Sequence, residues 1–171
     1  MNWRRVLAQV ERTEEEQDRI NMLYAIYCAE SVLPIYENKH PNNNGPRLAI
    51  EAAKTVLKYP TEENKAKAKA AAWAADDAAR DNTTFDDANA AWNAARNNVT
   101  LAAAYAAYSA AFTAIAQDPV DAGYVNNAIF NAEEAAKRAN ISIDFNSLET
   151  KAQQDIQQYS NNTNIAKLNL I

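Results

Sequence analysis

The sequence predicts an all-α fold, a compact multi-helix bundle of antiparallel Ala-rich helices, and three observations support this. Gly occurs 2 times and Pro 5 times in 171 residues, too few turn residues for the many short strands of a β protein. Apolar residues make up 48% of the chain. Alanine, which gives up no side-chain entropy in a helix, dominates that fraction. Large apolar side chains recur at spacings of three and four, as on one face of a helix. The length suits one domain with a real core. The expected division is a single helical domain over 1–160 and an Asn-rich tail over 161–171.

Each element follows from local signals. Trp3, Val6, Leu7 and Val10 give Met1 to Arg12 the face of a short helix. Thr13 and Glu16 form the S/T-x-x-E capping box, and Ile20, Leu23, Tyr24, Tyr27 and Ser31 continue one face of a long helix behind it. Pro34 is expected to bend or end that helix, because proline lacks an amide hydrogen and crowds the preceding turn. Asn38 to Pro46 clusters Asn, Gly and Pro as a loop does. Pro46 suits the first turn of the next helix, Arg47 to Lys58.

Thr61-Glu62-Glu63 opens a helix to about Arg80, and Asp81 to Thr84 is a break. A helix capped near Thr84 carries Asp86 and Asp87 in its first turn, where carboxylates complement the helix dipole. Asn97, Asn98 and Thr100 mark the next boundary, ahead of a helix with Tyr105, Tyr108, Phe112 and Ile115 on one side. Asp118-Pro119 caps a helix to about Ala139. Ile141 to Asn146 is a connector, and Ser147 to Tyr159 is a polar last helix. Ala-Ala-Trp73-Ala-Ala and Ala-Ala-Trp92-Asn-Ala-Ala echo each other. Alanines bring helix axes together while an occasional large ring fills the remaining gap. The unequal segment lengths favour a bundle over a solenoid.

Composition narrows the function classes. A net charge of −5 and a pI near 4.9 disfavour a nucleic-acid polymer as partner, since displacing counterions from phosphates takes a basic face. The first residues lack the long apolar run of a signal peptide, and no run of apolar residues is long enough to span a bilayer. No membrane partner is expected. Cys28 is the single cysteine, so an internal disulfide cannot form and a reducing, cytoplasmic setting is the default.

Catalytic constellations are missing. One His and one Cys far apart do not make a zinc site, and no Glu-x-x-His pair is present for a carboxylate metal centre. No metal and no cofactor are expected. Cys28, inside a helix beside Tyr24 and Tyr27, reads as a buried structural thiol rather than a nucleophile paired with His40. With two glycines there is no Gly-rich phosphate cradle. No catalytic residue is assigned, and an enzyme is disfavoured.

A polar constellation around the first loop remains. Glu30 and Glu37 lie two helical turns apart, Arg47 begins the next helix, and Glu51 and Lys54 follow on it. An arginine at a helix N-terminus, beside outward-pointing amides, suits an anion or a carboxylate. Equally, Arg47 can bridge Glu37 or Glu51 and pin the loop. Asp76, Asp77 and Arg80 beside Trp73 form a second polar cluster that reads as a solvated face. The rings of Trp73, Trp92, Tyr105, Tyr108 and Phe112 read as core, with a stacking platform as the alternative. The candidate ligand- or partner-binding set is Arg47, Glu37, Glu51, Lys54, Glu30, Tyr36, Trp73 and Arg80.

The stretch Tyr27-Cys-Ala-Glu-Ser-Val-Leu-Pro-Ile-Tyr-Glu37, then Pro41, then Gly-Pro-Arg47-Leu-Ala-Ile-Glu-Ala-Ala53 resembles the Imm-like immunity-protein family. Its members carry a Cys-Ala-Glu…Leu-Pro…Glu segment, a Pro-containing loop and Pro-Arg-x-Ala-Ile-Glu-Ala-Ala, followed by an Ala-rich helical region, as Ala70 to Ala79 is here. Such proteins occur in bacterial toxin–immunity settings and in phage genomes. The resemblance implies an α-helical protein without established catalysis. Family members tend to carry histidines in the later Ala-rich helices. This chain has none after His40, so no role of those histidines carries over.

Two function classes follow. One is a non-catalytic binding protein that neutralises an antagonistic effector, either as an immunity protein or as a phage-encoded inhibitor of bacterial defence. The other is a small-molecule sponge that sequesters a nucleotide immune signal, with Arg47 and Lys54 on phosphate and an aromatic ring on the base. The expected partner is accordingly a protein effector or an anionic small molecule, and a homo-oligomer is allowed.

Overall fold

The structure is a computed structural model that describes residues 13–80, 99–115 and 122–168. The expected helix before Arg12, the break at Asp81, the Thr84-capped helix with Trp92 and the Asp118-Pro119 cap lie outside the described residues. Within them are six helices and no strand: α1 (Glu14–Lys39), α2 (Gly45–Lys58), α3 (Glu62–Arg80), α4 (Val99–Ile115), α5 (Ala122–Arg138) and α6 (Phe145–Leu168).

The capping box forms as its residues predict. The Glu16 amide donates to Thr13 Oγ1 at 3.2 Å, and the Thr13 amide donates to Glu16 Oε2 at 3.3 Å. Glu14, Glu15 and Glu16 then place carboxylates against the positive end of the helix dipole. Of the two outcomes expected at Pro34, a bend or an end, the end does not occur, and α1 runs on to Lys39. A proline inside a helix costs about 3 kcal/mol. The turn beyond it buries Tyr36, which is 1% exposed, and burying a large side chain returns roughly 1.5–3 kcal/mol. Two residues before the proline's turn, Ser31 Oγ also donates to the Cys28 carbonyl at 2.7 Å.

α2 is strongly amphipathic. Ala49, Ile50, Ala53 and Val56 are buried, and Glu51 and Thr55 face outward. Asn140 closes α5 in the left-handed region (φ 55). Its amide donates to the Lys137 carbonyl at 3.2 Å, and that of Ile141 donates to Ala136 at 2.9 Å. This is a Schellman cap with Asn in place of the usual glycine. Asp144 starts α6 by accepting from the Ser147 amide at 3.1 Å and the Ser147 hydroxyl at 2.7 Å. These bonds hold the Asp144 carboxyl below its usual range. The last helix is longer than Ser147 to Tyr159, beginning at Phe145 and continuing to Leu168.

α4 is the centre of the bundle and packs against α1, α2, α3 and α5. Ala102, Ala103, Ala104, Ala106, Ala107, Ala110 and Ala111 are buried on every side of it. A helix that is apolar all round belongs in a core. Alanines lining its whole circumference let neighbouring axes approach to about 8 Å. Ala53 of α2, Ala68, Ala72 and Ala75 of α3, and Ala128, Ala132 and Ala135 of α5 belong to the same cluster. A smaller cluster, Ile20, Leu23, Ala152 and Ile156, joins α6 to α1.

At such close packing, Ala107→Leu should lower the unfolding free energy by about 1–3 kcal/mol through overpacking. Ala66→Leu, on the exposed side of α3, should change it by less than about 0.5 kcal/mol. Urea denaturation of both variants measures this, and equal effects would contradict the close-packed α4.

Candidate functional site

The site grows from the turn between α1 and α2. The Asn43 amide donates to the His40 carbonyl at 3.0 Å, and the Gly45 amide donates to Asn43 Oδ1 at 3.1 Å. This reverses the chain so that α2 returns antiparallel beside α1. Arg47 then faces Glu37, and Lys54 faces Glu30 further along the same pair of helices.

Arg47 grips Glu37 with two parallel bonds, Nε to Oε1 at 2.6 Å and Nη2 to Oε2 at 2.7 Å. This fork-to-fork geometry is the most directional ion pair available to proteins. It joins the end of α1 to the start of α2 across the loop. Of the two partners open in sequence, Glu37 and Glu51, the bridge is made to Glu37. Lys54 Nζ donates to Glu30 Oε1 at 2.5 Å and to Glu51 Oε1 at 3.5 Å.

The electrostatics reflect these partners. Hydrogen bonding to Glu37, then its charge, raises the Arg47 pKa. For Lys54, burial pulls downward, but the bond to Glu30 and the charges of Glu30 and Glu51 outweigh it and the net shift is upward. Both cations stay charged throughout the physiological range. Three carboxylates against two cations leave the array with an excess of negative charge.

The array is a surface feature, with 54% of the Arg47 side chain and 57% of that of Glu51 exposed. Nor does the helix start offer a row of amides to an anion. Pro46 has no amide hydrogen, the Gly45 amide is taken by Asn43, and that of Leu48 donates to Asn44 at 3.0 Å. The other residues of the candidate set lie elsewhere. Tyr36 is buried in the core, its ring 4.8 Å from that of His40. Trp73 sits between α3 and α4, its ring edge-on to Tyr108 at 6.1 Å and Phe112 at 5.7 Å. Arg80 ends α3, and its side chain lies outside the described residues.

Two sequence expectations need correction. Asp76 is buried (4% exposed) rather than part of a solvated face, although Asp77 is exposed. A buried position and an exposed one are adjacent on α3, and charge alone does not distinguish them. Trp73 is about half exposed (47%) rather than core. Tyr105 is buried as expected, while Tyr108 and Phe112 are partly buried. Phe112 in turn stacks on Tyr124 at 5.1 Å.

Sequence reasoning missed a second polar array where α6 meets α1. Tyr27 donates its hydroxyl to Asp155 Oδ2 at 2.5 Å. Lys151 Nζ lies 3.8 Å from the Tyr27 ring centroid and 3.6 Å from Asp155. Arg19 sits over the Tyr159 ring at 4.7 Å. The one local hint was Lys151 and Asp155 one turn apart. The link to Tyr27 spans too much sequence to be read.

Cys28 is fully buried, and burial pushes its thiol up to about 12 against a hydrogen bond with Tyr24 that lowers it. No group of three or more His, Cys, Asp or Glu residues suited to a metal ion occurs among the described residues. No helix among them is long and apolar enough to cross a membrane.

Fold and site together define an all-α bundle that presents a paired-charge surface across its first two helices. The family described as "Imm-5 like putative immunity protein" matches residues 11–108, more than half of the chain. The chain belongs to this family. The matched stretch holds α1, α2, α3, the charge array and the first part of α4, and leaves α5 and α6 outside it. No curated protein and no solved structure matches the chain.

The Cys28 environment makes stability depend on pH. The unfolded thiol ionises near 9, whereas the folded one keeps its proton to about 12. Its contribution is therefore complete below about pH 9 and is lost as pH rises toward 12. Burial raises Tyr24 and Tyr27 in the same sense. The urea midpoint should fall between about pH 8 and about pH 11, and Cys28→Ala should flatten part of that slope. A level midpoint in the wild-type chain would contradict the buried thiol.

Proposed function

We propose that this protein is a non-catalytic immunity-type binder that neutralises an antagonistic protein effector inside the cell. The carrying observation is the family match, which spans the α1–α2 charge array. The array is exposed, carries excess negative charge and rests on two helices clamped by a bidentate pair. Such a surface is complementary to the basic patch or active site of a toxin or a defence protein, and charge complementarity favours fast and selective association. The same surface would serve an immunity protein against a toxin or a phage-encoded inhibitor against a defence protein.

The geometry weighs against a nucleotide sponge. A phosphate site wants uncommitted cations converging in a concave pocket, whereas Arg47 and Lys54 each already hold carboxylates at a half-exposed surface. An anion would have to displace Glu37 or Glu30.

Glu51→Lys tests the reading. Glu51 is exposed and makes one long contact, to Lys54, so reversal changes the face with little effect on folding. Cells producing the chain should survive co-expression of the toxin or defence protein under test, and the purified pair should bind. Glu51→Lys should weaken binding by at least about tenfold, roughly 1.4 kcal/mol, with an unchanged melting temperature. Full affinity in that variant would remove the array from the interface. No protection by the wild-type chain, together with a nucleotide released from it on denaturation and seen by mass spectrometry, would support the sponge instead.

A further inference from the structure

α6 is attached differently from the other helices. α1 to α5 share one core, built around α4, whereas among the described residues α6 packs mainly on α1, with Leu57 of α2 at the edge of the contact. Its mid-helix contact is the separate small cluster of Ile20, Leu23, Ala152 and Ile156, edged by Tyr24, Tyr27 and Leu57. Phe145 and Leu148 at its start touch the rim of the main core. Polar ties among the described residues include Tyr27 with Asp155, Lys151 with both, and Arg19 with Tyr159. The pairings run antiparallel, Tyr27 against Lys151 and Asp155, and Arg19 against Tyr159. Just before α6, the Asn140 Schellman turn and the Asp144 cap are each closed by local hydrogen bonds, and Ile143 between them rests on the main core.

We propose that α6 is a strap, which opens from α1 as one unit while the α1–α5 bundle stays folded. A helix held by few buried apolar contacts and by part-exposed polar ties opens at a lower free energy than a helix in the shared core. The Tyr27–Asp155 bond is the fastening at its middle. Opening uncovers Ile20, Leu23, Tyr24 and Tyr27 along one face of α1 and leaves α4 covered by its four neighbours. This inference is independent of the proposed function.

Hydrogen exchange of the full chain, followed by mass spectrometry over a range of low urea concentrations, tests it. Amides from Leu148 to Tyr159 should share one opening constant, at least about tenfold larger than that of Ala102 to Ala114 and with a weaker urea dependence. Tyr27→Phe keeps the ring and removes the donor, and should raise opening of α6 roughly tenfold, as for one lost hydrogen bond to a charged group. Exchange in α4 should not change. Equal opening constants and urea slopes in α6 and α4 would overturn the proposal. So would a smooth gradient of protection decaying toward the C-terminal end of α6, which is fraying rather than unit opening. An equal effect of Tyr27→Phe on both helices, including none, would overturn it as well.

Discussion

Alanine at the helix contacts is the constraint from which the rest of this structure follows. α4 touches four helices because its side chains end at Cβ over most of its circumference. A leucine at such a position would push a neighbour outward, since interiors packed at crystal-like density have no room to absorb extra methylenes. Small side chains also bury little area each, about 0.8 kcal/mol per methylene-sized group. The bundle therefore depends on many close contacts rather than a few large ones. The largest fully buried side chains, Ile26, Val32, Tyr36, Ile50 and Val56, come from α1 and α2. The two helices that carry the charge array are thus anchored by the largest side chains of the core.

That coincidence explains how an exposed array keeps its geometry. Isolated surface ion pairs contribute little, because long side chains lose entropy on being held. Here the backbones that carry them are set by the core below. α1 continues through Pro34, and the turn beyond it places Tyr36 inward and Glu37 outward. The Asn43 and Gly45 turn returns the chain at a distance that lets Arg47 meet Glu37 with both donors. The same register brings Lys54 to Glu30. The array is a consequence of how the core places α1 and α2.

Family membership covers the part of the chain that builds this surface. α5 completes the wall around α4. α6 is joined through a minor cluster and part-exposed polar ties. The molecule thus combines a densely packed part that displays the array with a peripheral helix of lower cohesion. The buried Cys28 belongs to the first part. Its raised pKa follows mainly from removal from water, which disfavours the thiolate needed by a nucleophile.

The sequence by itself determined the helical class, the capping box at Thr13, the Asn-rich turn before Pro46 and the bounds of α2 and α3. These depend on neighbours within one or two turns, where propensity and capping act directly. It also brought Glu30, Glu37, Arg47, Glu51 and Lys54 forward as one group, because the short loop between α1 and α2 keeps their separation small. What only the tertiary structure decided lay across longer distances. It settled whether Pro34 would end α1, which depended on the burial of Tyr36. It settled that Asp76 turns inward and Trp73 half outward, which depended on how α3 packs against α2 and α4. It chose Glu37 over Glu51 as the partner of Arg47, and joined Tyr27 to Asp155. In an Ala-rich helix every face has a similar composition, so the sequence carries little signal for which face meets a neighbour. That choice is made by the collective packing of the bundle.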